Sequence, residues 1–587
     1  MPHLPTPQKI SSINLFNNPS SLTRLGTWLL DNMIGVAKMN ALYQHYNMQG
    51  LEKEAFIDRF IDIMKIELSG LEEVQNRIPK EGPVVIASNH PFGGVEGVIL
   101  ARAIGEVRPD IKVLANKSLR IFDEIKNYFI FTNPLVKKDP TNAPSLRQCI
   151  RHVDDGNCLL LFPAGRVSHL DNENDRTVEN QWDKIVAKLA NRKDALFVPV
   201  FVAGRNSDWF YRVERIYFKL RMFCLGRELL NKKNFQFHAD AGYPTSLGDL
   251  NLDSLIEGAE LARSLSYTTS NEWHFEWPAD KVVEQKPLAQ PVDKKLISEE
   301  LQALPKEHFL VSHKAFDVYF GYQHQIPMIV TEIARLRELV FRMHNEGSGE
   351  PLDTDGFDAT YTHLFIIDKT NLTIIGAYRM GQTDLLLDRQ WLDGLYLNKM
   401  FNFKTTFVNR REPCLEMGRS FLIPEYQSSF HGLLLLWRGI GAFVKKFPRY
   451  RTLYGTVSIS KLYSPKSVRL IQEILIEHVA EPSVEARNPF AFELHPELVT
   501  ICRSKNARNY LTTMLNTLEK DGKDIPILAK QYEKMGAKFH ALGIDHSFNF
   551  TPGLLLTVDL PKAPAKLLKL YLGDGWEEYA SYEATKT

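Results

Sequence analysis

The chain has 587 residues, 44% of them hydrophobic, with 71 Lys+Arg against 70 Asp+Glu for a net charge of +1. This composition excludes a disordered, collagen-like or coiled-coil chain, and near-neutral charge leaves no global field to attract nucleic acid. Single cores stop growing near ~250–300 residues, so more than one folded unit is expected.

In chain order, residues 1–75 read as a helical region, with apolar stripes over Leu25–Leu42 and through Ile57, Ile61, Met64 and Leu68. A strand–helix rhythm follows: strands at Val84–Ala87, Ile111–Ala115, Leu159–Phe162 and Ala195–Val202, and helices at Gly97–Ile104 and Trp182–Ala190. Such alternation predicts an α/β sheet domain over 76–276. The polar, proline-punctuated stretch Trp277–Lys295 predicts a linker, with a second domain over 296–587. There the pattern predicts a helix at Met328–His344 and strands at Thr362–Asp368, Leu372–Arg379 and Cys414–Leu422. Beyond them come a helix at Ser428–Phe447, a strand at Leu453–Ile459, a helix at Ser467–His478, and a tail with a helix near Ile527–Met535 and a strand at Gly553–Val558.

The cysteines, Cys149, Cys158, Cys224, Cys414 and Cys502, form no CxxC pair and match no zinc spacing, so no metal site is expected. The N-terminal segment lacks a basic region feeding an apolar run, and no stretch reaches 18 apolar residues. The expectation is a soluble chain, or one that lies on a membrane without crossing it.

Two sets of residues carry chemistry. In the first domain ASNHPFGGVEG places His90 just beyond a buried strand, where open crevices form in α/β sheets. A neutral histidine there takes a proton from an alcohol, and Glu96 is the nearby carboxylate that would fix its tautomer. LLLFPAGRVS supplies a turn at Gly165 and the guanidinium fork of Arg166, suited to a phosphate or carboxylate; VLANKSL supplies Asn116 and Lys117 at another strand end. In the second domain Arg337 lies on an amphipathic helix, Asp353, Asp355 and Asp358 cluster before a strand, Arg379 closes IIGAYR, and CLEMGRSFL carries Glu416, Arg419 and Ser420. The acidic cluster has no EF-hand spacing; its functional reading is that Asp355 or Asp358 binds a cationic amino acid. RGIGA, Arg438–Ala442, lies inside an apolar helical pattern, which favours helix packing over a phosphate loop.

Residues 76–275 resemble the glycerolipid acyltransferases of the PlsC type, through Asn89-His90-Pro91, Phe162-Pro163-Ala164-Gly165-Arg166 and Val198-Pro199-Val200. The resemblance implies His90 as the base that activates a hydroxyl for attack on an acyl thioester. The sequence departs from that family at Val95, where the motif aspartate is replaced by Glu96 one position later, and at Ala164 in place of the FPEG glutamate. Residues 310–480 resemble the acyl-homoserine-lactone synthases and the N-acyltransferases that make lyso-ornithine lipid, both variants of the GNAT fold, through Leu336–Phe341, Ile375–Arg379 and Glu416–Ser420. That resemblance implies Glu416 as a base or amine-positioning group, with Arg337, Arg379 and Arg419 shaping the site. The fold class expected is α/β throughout: a PlsC-like domain followed by a GNAT-like domain with a mixed central sheet.

The function implied is a bifunctional acyltransferase. The second domain transfers a 3-hydroxyacyl group from acyl carrier protein to an amino acid α-amine, with ornithine the favoured acceptor; the first acylates the new hydroxyl. No tightly bound cofactor is expected, acyl-ACP or acyl-CoA being the donor. The oxyanion donor expected is the backbone of a splayed strand at Ile374–Tyr378. Basic segments at Arg212–Lys233 and at Lys445, Lys446, Arg449 and Arg451 suit acyl carrier protein or the anionic lipids of a membrane, with the protein peripheral on its cytoplasmic face. No nucleic-acid partner is expected. Open alternatives are a phospholipid acyltransferase carrying a non-catalytic GNAT-like domain, and a catalytically silent lipid- or carrier-binding scaffold.

Overall fold

The computed structural model describes residues 31, 35–133, 139–171, 176–216, 220–250, 252–278, 284–427 and 430–582. The chain divides into two compact units. The first runs to His274 and takes in Leu494–Lys523; the second comprises Phe275–Glu493 and the chain from Asp524 onward.

In the first unit the strands are β1 (Glu67–Ser69), β2 (Val84–Ser88), β3 (Lys112–Asn116), β4 (Phe129–Thr132), β5 (Cys158–Leu161), β6 (His169–Asp171), β7 (Arg176–Val178), β8 (Leu196–Val202) and β9 (Gln236–Ala241). Seven of them form one sheet in the order β1-β9-β8-β2-β5-β3-β4, and β6 pairs with β7 apart from it. Every neighbour in the large sheet is parallel except β8 and β9. All five residues of β2 and all four of β5 are buried, as runs of Val, Ile and Leu covered on both faces of a parallel sheet should be. The parallel arrangement puts the carboxyl ends of β2, β3 and β5 on one edge, which collects the loops bearing His90, Asn116 and Gly165.

The strands predicted at 84–87, 111–115, 159–162 and 195–202 correspond to β2, β3, β5 and β8 within a residue or so. The expected helix over Trp182–Ala190 forms only from Ile185, and the helix through Ile57 spans Lys53–Met64. Of the Leu25–Leu42 stripe, most of the first half lies outside the described residues; the helix Val36–His45 covers the rest.

Leu494–Lys523 corrects the expected boundary, because it packs with the first unit. The helix Leu255–Thr269, capped by Ser254, carries Arg263, which pairs with Glu497. Asn506 donates to Asp253 (3.0 Å) and Glu257 (2.9 Å), and the Tyr243 N–H donates to the Thr517 carbonyl at 2.9 Å. Tyr510, Leu511, Met514 and Leu515 of the helix Ala507–Leu518 are fully buried. Apolar spacing alone reports that this helix buries a face, not which sheet it covers.

In the second unit β10 (Phe309–His313), β11 (Phe316–Tyr322), β12 (Thr362–Asp368), β13 (Thr373–Gln382), β14 (Phe401–Phe403), β15 (Cys414–Leu422), β16 (Thr452–Ser458), β17 (Val484–Ala486), β18 (Lys538–Asp545) and β19 (Thr551–Asp559) occur in chain order. Eight form a sheet in the order β10-β11-β12-β13-β15-β16-β19-β18; β14 pairs with β17. The sheet is mixed, with one parallel pair, β15 and β16, among antiparallel neighbours. The predicted linker is held along this unit: Lys286 and Ala289 donate backbone N–H groups to the carbonyls of Gly349 and Pro351 at 2.9 and 3.1 Å, and Trp277 stacks on Phe490. Residues 279–283 of that stretch lie outside the described residues. Gly439 and Gly441 sit in the helix Phe430–Lys446 where a Cβ would fall 2.8 Å from Val318 and 2.5 Å from the Tyr571 carbonyl, so close packing is their role.

Candidate functional site

His90 leaves the end of β2, and Glu96 lies in the first turn of the helix Val95–Val107. Glu96 Oε1 stands 2.9 Å from His90 Nδ1, an ion pair lying off the hydrogen-bond axis. Glu96 is fully buried and accepts backbone N–H groups from Phe92, Gly93 and Gly94, each at 2.9 Å. Burial is the largest influence on its pKa and pushes it up, but the His90 charge and the N–H donors outweigh burial and bring it down to about 2. Burial, again the largest effect, lowers the His90 pKa, while the carboxylates of Glu96 and Glu179 raise it above the ordinary value overall.

Around this pair the structure assembles Glu179 and Asn206, which sequence reasoning missed, and Asn89, read from the sequence only as part of the Asn-His-Pro motif. Glu179 accepts the His90 backbone N–H at 2.5 Å and the Trp182 indole N–H at 2.8 Å. Asn89 bridges β2 to β8 through both amide atoms, donating to the Val202 carbonyl and accepting from its N–H. Asn206 donates to the Pro91 carbonyl at 3.1 Å. Buried Asn and Glu side chains of this kind carry no periodic signature.

The loop after β5 turns at Gly165 (φ 62°), whose N–H bonds the Phe162 carbonyl, and Ser168 donates its N–H to the His90 carbonyl at 3.0 Å. The Phe162 ring lies 4.7 Å from the His90 ring, and Arg166 is half-buried in the turn. Asn116 ends β3 half-buried. Lys117 is no free cation: Asp139 pairs with it at 3.0 Å.

In the second unit the parallel strands β15 and β16 pair only from Cys414↔Thr452 to Met417↔Gly455, yet β15 continues to Leu422 and β16 to Ser458. Beyond Met417 the two strands part. β15 bulges there: Arg419 and Ser420 oppose the single residue Tyr378 of β13, and Arg419 takes a left-handed backbone, φ 52°. Glu416 and Tyr454 share a face as register partners, so Gly418, Thr456 and Ser458 extend that face into the opening. A Cβ built on Gly418 meets nothing within 4 Å. The cleft therefore lies between β15 and β16. The expected splay at Ile374–Tyr378 is corrected, since these residues are in β13, which pairs with strands on both sides.

Glu416 is buried and three donors hold its carboxylate: Tyr361 at 2.9 Å, Tyr454 at 2.8 Å and the Leu397 N–H at 3.2 Å. Burial raises its pKa, opposed by those donors.

The acidic cluster forms a charge network. Asp358 accepts from Arg337 (3.2 Å) and Arg379 (3.0 Å), Asp355 from Arg379 (2.5 and 3.0 Å), and Asp353 pairs with Arg337 Nε at 2.6 Å. Arg419 stands 3.7 Å from both Asp353 and Asp355 and donates to the Tyr396 hydroxyl at 3.3 Å. Asp355 and Asp358, expected to bind a cationic amino acid, both face arginines of the same unit. The neighbouring His363 has its pKa lowered to about 4 by burial. Ser420 lies half-buried in the bulge of β15.

Of the basic segments, Lys445 donates to the carbonyls of Leu572 and Asp574, Arg449 pairs with Asp384, and Arg451 donates to the carbonyls of Tyr579 and Ala580. In the other, Lys232 is buried over the Phe92 ring and Arg227 lies over Trp209; residues 217–219, including Tyr217 and Phe218, lie outside the described residues. Among the described residues no group of three or more His, Cys, Asp or Glu is placed to hold a metal ion, and no helix is long and apolar enough to cross a membrane.

Comparison with known proteins finds a family match in each half of the chain. Residues 36–274 match the family described as Acyltransferase, and residues 336–438 match the Acetyltransferase (GNAT) domain. The chain is 28% identical over 291 residues to a glycine N(alpha)-acyltransferase of Bacteroides thetaiotaomicron, covering 46% of this chain and 86% of that protein. It is 30% identical over 194 residues to a lyso-glycine lipid O-acyltransferase of the same organism, covering 32% of this chain and 67% of that protein. Likeness to the solved structure of the AHL synthase LasI is slight, with TM-score 0.24 and 13% identity over 45% of this chain and 96% of that one. With a histidine–carboxylate pair in one unit and a splayed parallel strand pair in the other, the chain belongs to the acyltransferases, an enzyme with an acyltransferase domain followed by a GNAT-like domain.

Proposed function

We propose that the protein makes a diacylated amino-acid lipid by two successive acyl transfers. In the second unit an acyl thioester lies in the β15–β16 opening and a 3-hydroxyacyl group passes to the α-amine of a small amino acid, glycine in this reading. In the first unit His90, oriented by Glu96, takes the proton of the 3-hydroxyl as that oxygen attacks a second acyl thioester. The Phe162–Arg166 turn and Asn116 line the acceptor side of that reaction. Acyl carrier protein is the donor carrier, and the protein works from a membrane surface, where its amphiphilic intermediate is held at high effective concentration.

One observation carries the reading: a single chain resembles both a glycine N(alpha)-acyltransferase and a lyso-glycine lipid O-acyltransferase. Glycine is preferred to ornithine because a δ-ammonium needs a carboxylate partner, and Asp355 and Asp358 are taken by Arg379 and Arg337. Glu416 serves here as a positioning group that holds Tyr361 and Tyr454 at the base of the cleft.

Mass spectrometry of lipids from cells expressing the chain tests this directly. Mono- and diacylated glycine are expected, and His90→Ala should leave the monoacyl product while removing the diacyl one. Ornithine lipids in their place would overturn the choice of acceptor. Absence of any acylated amino acid would overturn the two-transfer reading.

A further inference from the structure

The N-acyl transfer needs a group to remove a proton from the acceptor, because an α-amino group is an ammonium ion until its pKa of roughly 8 is passed. Glu416 is poorly suited, since three donors already hold its carboxylate. Glu338 is likewise committed to Arg342, Ser348 and Gly349. Asp353, Asp355 and Asp358 face arginines.

Glu346 differs from all of these. It follows the helix Pro327–Met343, its N–H bonded to the Phe341 carbonyl at 2.9 Å, while Asn549 donates to the Asn345 carbonyl and pins the turn. The residue is only 7% exposed, yet its carboxylate accepts one long hydrogen bond, 3.3 Å from the Ser458 hydroxyl. Among the described residues no Lys, Arg or His pairs with it. Ser458 is the last residue of β16, beyond the point where β16 leaves β15 and on the face shared with Gly418, where space is open. A buried, almost unpartnered carboxylate therefore stands at the mouth of the cleft, with Glu416 closing its base.

We propose that Glu346 is the general base of the N-acyl transfer, taking a proton from the acceptor's α-ammonium in the cleft between β15 and β16; this rests on the two-transfer reading above. The freed nitrogen lone pair attacks the thioester carbonyl carbon and forms the C–N bond. The tetrahedral oxyanion, held by backbone N–H groups of β15 beyond Met417, collapses and the C–S bond breaks. The thiolate leaves with the second nitrogen proton, and Glu346 returns its own to solvent, so one amide, one thiol and one proton result. Burial is the largest influence on the Glu346 carboxyl and raises its pKa to about 7; the Ser458 hydrogen bond and the Arg419 charge pull the other way. A base poised there is half-ionised near neutral pH and strong enough to accept an ammonium proton.

The test uses the full chain with glycine and a 3-hydroxyacyl carrier protein, and separately a supplied monoacyl glycine lipid with an acyl donor. Glu346→Gln should lower kcat/KM of N-acylation about 100-fold or more and abolish the rise in rate through pH ~7, while O-acylation of the supplied lipid stays at the wild-type rate. Glu346→Asp should recover part of the loss. N-acylation by Glu346→Gln within twofold of wild type, or with an unchanged pH profile, would overturn the proposal. If the wild-type chain acylates other amines but not glycine, the acceptor reading falls and the Gln variant is compared on the amine that is used. If it acylates no amine, the function reading fails and the proposal fails with it.

Discussion

Glu96 reaches His90 from one position later than the usual motif spacing: Oε1 stands 2.9 Å from Nδ1, steadied by the N–H groups of Phe92, Gly93 and Gly94. The glutamate's extra methylene compensates for the shift along the helix, because those three donors fold its carboxylate back over the start of the turn. An anion at a helix N-terminus is also favoured by the exposed N–H groups and the helix dipole.

His90 accepts a proton only when neutral, and the Glu96 and Glu179 carboxylates favour its charged form. O-acylation should therefore rise with pH through a midpoint above 6.5, the unperturbed histidine value. Glu96→Gln should move that midpoint to lower pH and cut the rate about 100-fold, because the amide neither stabilises the imidazolium nor orients the ring as well. The pH dependence of O-acylation on a supplied monoacyl lipid measures both; an unmoved midpoint would dissociate Glu96 from the histidine's chemistry.

Glu346 has its folded-state pKa raised from 4.5 to about 7. The folded chain thus holds that proton more tightly than the unfolded one, a stabilising contribution complete below pH ~4.5 and lost as pH rises through ~7. Glu346→Gln, which cannot ionise, should melt higher than wild type at pH 8.5, by up to ~3 kcal/mol, and melt alike at pH 4. Thermal unfolding followed by circular dichroism at both pH values checks the sign.

Asp358 joins Arg337 and Arg379 where all three side chains are at most 3% exposed. Asp358→Ala leaves two buried guanidinium groups short of a partner and should cost ~3–5 kcal/mol. Asp355→Ala, removing a more exposed partner, should cost less. Urea unfolding of the two variants ranks them.

Removing Leu494–Lys523 should damage the first unit although the segment follows most of the second in sequence. Tyr510, Leu511, Met514 and Leu515 are fully buried, each worth ~1.5–3 kcal/mol, and Arg263 loses Glu497. A chain ending at His274 should be poorly soluble or melt well below the same chain carrying 494–523 on a flexible tether. Equal melting temperatures would contradict the assignment.

The sequence by itself determined the strands β2, β3, β5 and β8 of the first unit and β12, β13, β15, β16 and β19 of the second, because strands covered on both faces must be apolar runs. The strands β1, β4, β6, β7, β9, β10, β11, β14, β17 and β18, short or interrupted by polar residues, carry no comparable signal. The sequence also singled out two sets of candidate residues, since His90, Glu96, Glu416 and Arg419 fall at recognisable spacings around strand ends. Only the tertiary structure decided where the three aspartates spend their charge, because their partners Arg337, Arg379 and Arg419 come from three separate elements. It likewise decided that the cleft opens at Gly418, since strand separation depends on which strand lies alongside, a property of pairing and not of one strand's composition. Glu346 shows the difference most clearly. Nothing in HNEGSGE marks it, and only the tertiary packing that leaves it 7% exposed, with Ser458 donating from a strand more than a hundred residues away, changes its chemistry.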